Sequence, residues 1–337
     1  MLILENHSLK ELNTFRIAAC AKSFVRVSTT GELLTLVDTP SFREGNPLIL
    51  GGGSNMLFTA DYNGLVVQQI TRGRHVIDEK DGKVFLKVMA GEPWDELVGY
   101  CVQNGWGGLE NLSLIPGHVG SSPIQNIGAY GTELRDHFHS LEAIDRNTGK
   151  KMTFTGPDCC FGYRESFFKG EGKNRFVIAS VTFALDSKPV VHTHYGELER
   201  ELKSKGIKEA SIADVREVVC DIRKRKLPDP AVIGNAGSFF KNPVVTMKRY
   251  RQLKKAFPGI VAYPEQKGTK LAAGWLIEQA GWKGFRKGDA GVHDKQALVL
   301  VNHKNATGMD ILRLATEIQQ SVRLKFGVPL QPEVTII

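Results

Sequence analysis

The chain has 337 residues, 42% of them hydrophobic and 24% charged, and carries a formal net charge of +8. This composition is typical of globular proteins of two or three compact units. No stretch approaches the roughly 20 apolar residues that a transmembrane helix needs. The first ten residues also lack the pattern of a signal peptide. We therefore expect a soluble, cytoplasmic protein without membrane insertion.

The positive charge, from 44 Lys and Arg residues against 36 Asp and Glu residues, suits an anionic partner. Nucleic acid is one candidate, but the sequence has no long basic run and no basic stripe interleaved with aromatic residues. A small anionic substrate that carries phosphates or carboxylates explains the charge equally well. We predict a small-molecule partner and no nucleic acid.

Cysteine and histidine residues give no sign of a metal centre. The five cysteines are scattered, and none forms a Cys-x-x-Cys pair, so we predict reduced thiols. Two His-x-His pairs occur, at His137/His139 and His192/His194. Because no third ligand is placed near either pair, we predict no metal.

The predicted elements of the first half begin with small β/α units. Apolar segments predict strands at 24–27, 47–50, 65–67 and 84–89. A helix at 30–37 is opened by Thr29 or Thr30. A second helix from Glu92 ends at Asn104-Gly105, and its buried face is predicted to carry Trp94, Leu97, Val98, Cys101 and Val102.

The second half begins with a hairpin at 144–155 and a buried strand at 176–185. A helix at 211–223 opens with Ser211 and Asp214 as a capping box, and its inward face is predicted to carry Ile212, Val215, Val218, Val219 and Ile222. Further helices are predicted at 269–280 and 310–326, a strand at 297–301, and an apolar terminal strand at 334–337.

Two glycine-rich segments stand out. Gly51-Gly52-Gly53-Ser54-Asn55 directly follows an apolar strand, and consecutive glycines can present N–H groups to an anion such as pyrophosphate. It matches neither GxGxxG nor a Walker loop, and alone it is also typical of a plain tight turn. The longer segment 107–131 is too irregular for a regular element and too apolar for a solvated loop. Its backbone groups need partners, and a large cofactor is a natural one.

Five motifs follow each other along the chain: GGGSN (51–55), IPGHVGSSPIQNIGAYG (115–131), YRESFF (163–168), GNAGSFFKNP (234–243) and LQPEV (330–334). With them the sequence resembles the UDP-N-acetylenolpyruvoylglucosamine reductase family, from Asn13 to the C-terminus. The first two motifs belong to a wider FAD-binding superfamily that includes vanillyl-alcohol-oxidase-like enzymes, and the last three belong to the reductases alone.

The resemblance implies an α+β fold, with a two-part FAD-binding region of the vanillyl-alcohol-oxidase-like (PCMH-type) superfamily and a C-terminal α+β substrate-binding domain. Residues 1–70 would form the first FAD-binding subdomain, rejoined by 327–337. Residues 71–210 would form the second, and residues 211–326 the substrate-binding domain.

The implied activity is NADPH-dependent, FAD-mediated reduction of UDP-N-acetylglucosamine enolpyruvate to UDP-N-acetylmuramate, in peptidoglycan precursor synthesis and without an obligate protein partner. A non-covalent FAD is expected, although His118 stands where relatives often have a small residue and a histidine can bond the flavin in covalent oxidases. The implied FAD contacts are Gly51, Gly52, Gly53, Ser54, Asn55, Pro116, Gly117, Val119, Gly120, Ser121, Ser122, Gln125, Asn126, Ala129, Tyr130 and Gly131.

Three residues match the catalytic residues of the family. An arginine fork suits the substrate carboxylate, which takes up negative charge as hydride adds to C3, and Arg164 matches that arginine. Ser238 matches the proton donor to C2, and Glu333 matches a glutamate that assists charge handling or protonation. Without the resemblance, these residues are typical of a surface ion pair, a turn and a frayed terminus.

Substrate contacts are implied at Tyr195, a loop tyrosine that folds over the UDP-sugar in one subtype of the family, and at Lys226, Asn242, Lys283 and Gln296. Lys226 closes the basic run 223–226, which otherwise is typical of a solvated helix end. Two alternatives are an FAD oxidase of the wider superfamily and a catalytically silent UDP-sugar-binding regulator. The presence of Arg164, Ser238 and Glu333 together argues against the oxidase. A silent regulator would be expected to lose Ser238 or Glu333, and neither is lost.

Overall fold

The computed structural model describes residues 1–265 and 268–337. In chain order its strands are β1 (Ile3–Ser8), β2 (Cys20–Val27), β3 (Leu48–Leu50), β4 (Met56–Leu57), β5 (Tyr62–Gln69), β6 (Arg74–Lys80), β7 (Lys83–Met89), β8 (Gly128–Ala129), β9 (Thr132–Glu133), β10 (Phe138–Asp145), β11 (Lys151–Thr155), β12 (Phe176–Asp186), β13 (Gly234–Ser238), β14 (Val244–Val245), β15 (Ala262–Glu265), β16 (Gly268–Leu271), β17 (Arg286–Lys287), β18 (Ala290–Val292), β19 (Val299–Asn302) and β20 (Thr335–Ile336).

The helices in the same residues are α1 (Thr30–Val37), α2 (Pro40–Arg43), α3 (Trp94–Gln103), α4 (Gly156–Cys159), α5 (Gly196–Ser204), α6 (Ile212–Lys226), α7 (Met247–Ala256), α8 (Ala273–Gln279) and α9 (Gly308–Phe326). Short 3-10 helices cover Lys10–Leu12, Glu110–Leu112, Val119–Ser121 and Leu134–Asp136.

The chain divides into two compact units. Unit 1 comprises residues 1–7, 21–52 and 63–225, and unit 2 comprises residues 8–20, 53–62 and 226–337. The three subdomains implied by the resemblance divide the chain at other positions, since residues 1–70 are shared between the two units. They remain a prediction. Helix α6, which we expect to begin the substrate-binding domain, belongs to unit 1 through Arg225.

Unit 1 is built on two main sheets. One has the strand order β1-β2-β5-β3, and β3 runs parallel to β5. The other is antiparallel, with the order β11-β10-β12-β7-β6. Its central strand β12 is buried along most of its length, which fits its continuous apolar run. The predicted hairpin is confirmed by the antiparallel pairing of β10 with β11.

Helix α3 packs its apolar face into the core of the five-stranded sheet. Trp94 is 1% exposed and meets Phe183 of β12 edge to face, with ring centroids 5.9 Å apart. Its indole Nε1 donates to the Leu112 carbonyl at 2.9 Å. The same core therefore also fixes the loop that follows α3. Val102, predicted on the buried face, is only partly buried.

Helix α6 confirms its predicted cap and face. The Ser211 backbone N–H donates to the Asp214 carboxylate at 2.8 Å, and the Asp214 N–H donates to the Ser211 hydroxyl at 3.2 Å. The predicted inward residues of α6 are all buried: Ile212, Val215, Val218, Val219 and Ile222. The last four form one apolar cluster with Leu198 and Leu202 of α5.

Unit 2 contains a sheet of order β13-β19-β18-β17, a second of order β14-β16-β15, and the pair β20-β4. Strand β20 runs parallel to β4, with Thr335 opposite Met56. The expected docking of the C-terminal tail is therefore confirmed. Helix α9 begins with a Thr307/Asp310 capping box and ends at Gly327, whose φ of 61° is left-handed.

Two predicted boundaries in unit 2 are wrong. The helix expected at 269–280 begins only at Ala273, because Thr269 pairs with Val245 and Pro264 as part of strand β16. The strand expected at 297–301 runs from Val299 to Asn302. These residues pair with the neighbouring strands β15 and β18, respectively, and local apolar patterns do not encode such pairing.

All five cysteines are free thiols. In the part of the chain that the structure describes, no helix is long and apolar enough to cross a membrane. The same residues contain no group of three or more His, Cys, Asp or Glu side chains arranged to hold a metal ion.

Candidate active site

The two glycine-rich segments meet within unit 1. A Cβ at Gly52 would lie 2.9 Å from Gly117 Cα, and a Cβ at Gly51 would lie 3.5 Å from His118 Cβ. The backbones therefore approach more closely than side chains would allow at Gly52. Gly51, Gly52 and Gly117 are all partly exposed, so a ligand can reach their backbone. Gly53 is buried with a φ of 62°, and a Cβ there would lie 2.0 Å from the Leu12 carbonyl oxygen within unit 2.

His118 is held between the strand end of β5 and the glycine loop. Its ring hydrogen-bonds to the Gln69 backbone, and Nδ1 is buried and has no hydrogen-bond partner among the described residues. Burial lowers the pKa of this imidazole, and Arg72 lowers it further. The ring is therefore neutral near pH 7. Its backbone is fixed as well, because the Trp94 N–H donates to the Gly117 carbonyl and the Val119 N–H to the Glu92 carbonyl.

Three predicted site residues adopt left-handed backbone conformations: Asn126 (φ 43°), Tyr130 (φ 48°) and Arg164 (φ 55°). Such conformations cost non-glycine residues of order 1–3 kcal/mol each and cluster at functional sites. The Arg164 guanidinium donates to the Gly128 carbonyl at 2.5 Å and to the Asn126 carbonyl at 3.4 Å. In return, the Asn126 side-chain amide donates to the Gly162 carbonyl at 3.1 Å. The structure thus locks Arg164 onto the flavin loop predicted from sequence.

Tyr130 and Tyr195 also come together in unit 1. Their rings pack edge to face with centroids 5.6 Å apart. Burial raises the pKa of Tyr130 to about 12, so this hydroxyl stays protonated at neutral pH. Tyr195 is 42% exposed and precedes helix α5.

Arg223 contacts Tyr130, one of the implied FAD contacts, and this contact is not expected from the sequence. We expect the basic run 223–226 to be solvated apart from Lys226, but Arg223 is partly buried, hydrogen-bonds to the Tyr130 side chain and donates to the Leu114 carbonyl at 3.3 Å. Burial lowers the pKa of its guanidinium. The helical spacing 215, 219, 223 places Arg223 on the buried face, which is the signal that could have found it.

Ser238 and Glu333 are brought together in unit 2. Ser238 ends β13, opposite Val299, at an irregularity of the pairing. The next residue, Phe239, is fully buried, and its carbonyl accepts a 2.8 Å hydrogen bond from the Glu333 N–H. The sequence prediction that these two residues belong to one site is consistent with this backbone connection.

Asn55 joins the same group. Its side-chain amide donates to the Glu333 carbonyl at 3.3 Å, and its own carbonyl accepts from the Thr335 N–H at 3.0 Å. A residue implied to contact FAD is therefore bonded to the segment that carries an implied catalytic residue. Ser54 and Asn55 are both partly buried.

The implied substrate residues of unit 2 are distributed around helix α8. Asn242 accepts the Ala273 N–H at 2.9 Å through Oδ1. A Cβ at Gly274 would lie 2.9 Å from Gln296 Oε1, so Gln296 also faces the start of α8. Lys283 is exposed and pairs with Glu278 at 3.0 Å near the helix end. Lys226 is the first residue of the third segment of unit 2 and is partly buried.

The other implied FAD contacts lie along the loop 116–131 of unit 1. Val119, Ser122 and Asn126 are buried, and the Ser122 hydroxyl donates to the Val119 carbonyl. The remaining residues are partly buried or exposed: Pro116, Gly117, Gly120, Ser121, Gln125, Ala129, Tyr130 and Gly131.

The preceding segment, residues 107–111, differs from this loop. We expect a cofactor to satisfy the backbone of the whole segment 107–131. At Gly107, however, the backbone N–H and carbonyl bond to Asp186 of β12 at 2.9 and 3.0 Å. The Gly108 N–H bonds to the Glu110 carboxylate at 2.6 Å. Protein groups therefore satisfy the start of the segment.

Two family models match the chain: UDP-N-acetylenolpyruvoylglucosamine reductase, C-terminal domain, over residues 229–337, and the FAD binding domain over residues 21–155. A UDP-N-acetylenolpyruvoylglucosamine reductase of Flavobacterium johnsoniae is 47% identical over 339 aligned positions, and the alignment covers 100% of both chains. The chain belongs to the UDP-N-acetylenolpyruvoylglucosamine reductase family.

Other members of this reductase family give the same result. The enzyme of Burkholderia vietnamiensis is 47% identical over 334 residues, which cover 98% of this chain and 96% of the relative. That of Pseudomonas syringae pv. syringae is 47% identical over 327 residues, with 97% and 96% covered. A solved reductase from Thermus caldophilus aligns with a TM-score of 0.69 at 23% identity over 99% of this chain and 98% of that one. The predicted family and α+β fold class are confirmed.

The residues present fit the FAD that this reductase family uses. In unit 1 the glycines of both loops leave their backbone partly exposed where a Cβ at Gly52 would collide with Gly117. Exposed backbone N–H groups in glycine loops are suited to phosphate groups. The strained conformations of Asn126 and Tyr130 lie in the same loop.

Proposed function

We propose that this reductase converts UDP-N-acetylglucosamine enolpyruvate to UDP-N-acetylmuramate in the cytoplasm, as a step of peptidoglycan precursor synthesis. Its partners would be the UDP-sugar and NADPH, with FAD bound non-covalently. Bound FAD would supply the hydride that adds to C3 of the substrate, after reduction by NADPH. The remaining steps are assigned to side chains of this chain.

The observation that carries the assignment is the backbone connection in unit 2. The Glu333 N–H bonds to the Phe239 carbonyl, directly after Ser238, and Asn55 bonds to the Glu333 carbonyl. These bonds hold a hydroxyl and a carboxylate on rigid segments, as acid–base chemistry requires. A frayed C-terminus would not hold Glu333 in this way.

Arg164 would bind the carboxylate of the enolpyruvyl group. A guanidinium is a planar fork that matches both carboxylate oxygens. Its orientation is set by the Gly128 and Asn126 carbonyls, which use two of its five N–H donors. The positive charge would stabilise the negative charge that develops on the carboxylate as hydride adds to C3.

Ser238 would donate a proton to C2, which completes the addition of hydrogen across the double bond. A serine hydroxyl is a weak acid, so the alkoxide that forms needs stabilisation. Glu333 would assist in charge handling or protonation at the same group. Tyr195 would close over the nucleotide diphosphate, with Lys226, Asn242, Lys283 and Gln296 as further substrate contacts.

Visible absorption spectra test the proposed function. Purified protein should be yellow, acid precipitation should release the flavin into the supernatant, and NADPH should bleach it. Under anaerobic conditions the enolpyruvyl UDP-sugar should restore the oxidised spectrum. Flavin that stays in the pellet would indicate a bond to His118 and favour an oxidase, as would reoxidation by O₂ but not by the sugar. A protein that binds the sugar without turning it over would be a silent regulator.

A further inference from the structure

The loop between β12 and α5 carries Tyr195, and we call residues 187–195 the tyrosine loop. Its tip is exposed, with Val190 at 82% and Tyr195 at 42% exposure. Val191 nevertheless packs against the apolar cluster of α5 and α6. The loop is therefore anchored at some positions and open at others.

Gly107 provides one anchor. It exchanges two backbone hydrogen bonds with Asp186, the last residue of β12, and a Cβ at Gly107 would lie 2.2 Å from the Pro189 Cβ. No side chain fits there unless the tyrosine loop moves. Gly107 is thus the surface on which Pro189 rests.

Asn111 provides the second anchor. Its side chain is 1% exposed, and its Nδ2 donates to the His192 carbonyl and to the Tyr130 carbonyl, both at 2.9 Å. An amide nitrogen carries two hydrogens, so one side chain ties the tyrosine loop to the flavin loop. The Leu112 carbonyl accepts from the Trp94 indole, which fixes the backbone next to Asn111.

As a consequence of these two hydrogen bonds, the rings of Tyr130 and Tyr195 meet. Asn111 bonds to the carbonyl of Tyr130 itself and to that of His192, three residues before Tyr195. The two tyrosine rings pack edge to face with centroids 5.6 Å apart. Such pairs contribute modestly beyond area burial. The ring contact alone would not fix an exposed loop, whereas two hydrogen bonds from a buried amide do.

We propose that the segment Gly107–Asn111 is the seat of the tyrosine loop, and that Asn111 is a positioning residue which sets Tyr195 against Tyr130. The proposal rests on the proposed role of Tyr195 in binding the UDP-sugar. Loss of the amide removes the donor to the Tyr130 and His192 carbonyls, two hydrogen bonds that are partly shielded from solvent. The loop is then no longer held in register with the flavin loop.

Hydrogen–deuterium exchange of the FAD-loaded protein tests whether the segment Gly107–Asn111 holds the tyrosine loop, and it does not depend on turnover. Asn111→Leu, which keeps the branch point at Cγ but removes both donors, should speed exchange about tenfold in peptides covering 187–195 and in those covering 128–131. Gly107→Ala should speed exchange in 187–195 alone, because its Cβ displaces Pro189. If Asn111→Leu fails to fold, the exchange of Gly107→Ala alone tests the proposal.

Matched controls are available in the same unit. Asn104 donates its side-chain amide to the Tyr100 carbonyl at 2.8 Å from an exposed position, and a Cβ at Gly156 would meet no atom within 4 Å. Asn104→Leu and Gly156→Ala should leave exchange in 187–195 unchanged. Unchanged exchange there in both Asn111→Leu and Gly107→Ala would overturn the proposal.

Steady-state kinetics then test whether the position of the tyrosine loop affects substrate binding. Gly107→Ala should raise KM for the enolpyruvyl UDP-sugar about tenfold, with kcat within twofold and flavin reduction by NADPH unchanged. Faster exchange with an unaltered KM would show that the loop is seated here but that its position does not matter for substrate, which overturns the positioning role. Wild-type protein that reduces its flavin without turning over the sugar would sink the proposed function and leave the exchange result standing.

Discussion

In unit 1, the residues implied to hold the flavin act mainly through their backbone, on glycine loops whose close approach at Gly52 and Gly117 excludes side chains. In unit 2, Ser238 and Glu333 are implied to act through side chains, and strand pairing sets their positions. The arrangement in unit 1 depends on glycines, which have no Cβ atom. The arrangement in unit 2 depends on the register of strand pairing. Substitutions should therefore fail differently in the two units: by loss of binding in unit 1 and by loss of turnover in unit 2.

The largest effect is expected in unit 2. Ser238→Ala removes the proposed proton donor, and general acid catalysis typically contributes about 10²–10⁴-fold. We expect turnover to fall by at least about a thousandfold, while NADPH reduces the flavin at the wild-type rate. Stopped-flow measurement of the two half-reactions separates these steps, and Ser321→Ala on helix α9 serves as a serine control. Normal turnover of Ser238→Ala would remove Ser238 from the mechanism.

A smaller effect, on binding, is expected in unit 1. Gly52→Ala places a Cβ 2.9 Å from Gly117 Cα, and neither backbone can yield without moving its loop. FAD affinity should fall by about a hundredfold, which is about 2.7 kcal/mol. Flavin fluorescence titration measures it, with Gly156→Ala as the open-space control. Equal FAD affinity in both variants would show that the contact of the loops is unimportant for the cofactor.

The same contrast explains what the sequence could predict. Glycine loops and the Ser211 capping box are local patterns, so their positions can be predicted from the sequence. The roles of Arg164, Ser238 and Glu333 are implied only by the family motifs. The partners of Asn111 and Gly107 are distant in the chain, since the Asn111 bond to His192 spans 81 residues. No local periodicity encodes such a bond, and so the seat of the tyrosine loop became visible only in the structure.

Most implied ligand contacts of unit 1 use the backbone, but we expect the tyrosine loop to act through the side chain of Tyr195. Tyr195→Ala removes a ring that packs on Tyr130, and it should raise KM for the UDP-sugar about tenfold without altering flavin reduction by NADPH. Tyr195→Phe keeps the ring contact and tests the hydroxyl alone. Rapid-mixing experiments on both half-reactions distinguish the cases. Equal slowing of the two half-reactions would contradict a lid that acts only on substrate.

The smallest effect concerns the buried carboxyl beneath the tyrosine loop. Glu110 is 2% exposed, and burial raises its pKa above the ordinary value of 4.5. The folded protein therefore keeps this proton to a higher pH than the unfolded chain does. Wherever the folded state binds more protons, stability falls as pH rises. This loss begins near pH 4.5, as the unfolded carboxyl ionises, and is complete above the raised pKa of the folded protein.

Glu110→Gln should remove that pH dependence while retaining an acceptor for the Gly108 N–H, which now bonds to the carboxylate at 2.6 Å. Asp95 gives a control of opposite sign: although burial acts to raise its pKa, hydrogen bonds from Arg216 and the Leu114 N–H lower it. Its contribution to stability is therefore present above pH 3.8 and is lost in acid. Urea unfolding from pH 2 to 8 should show a flatter profile above pH 4.5 for Glu110→Gln than for wild type, whereas Asp95→Asn should lose stability at neutral pH and lose less below pH 3.8. A wild-type slope retained in Glu110→Gln would mean that this carboxyl ionises equally in the folded and unfolded states, and that the seat of the tyrosine loop carries a charge.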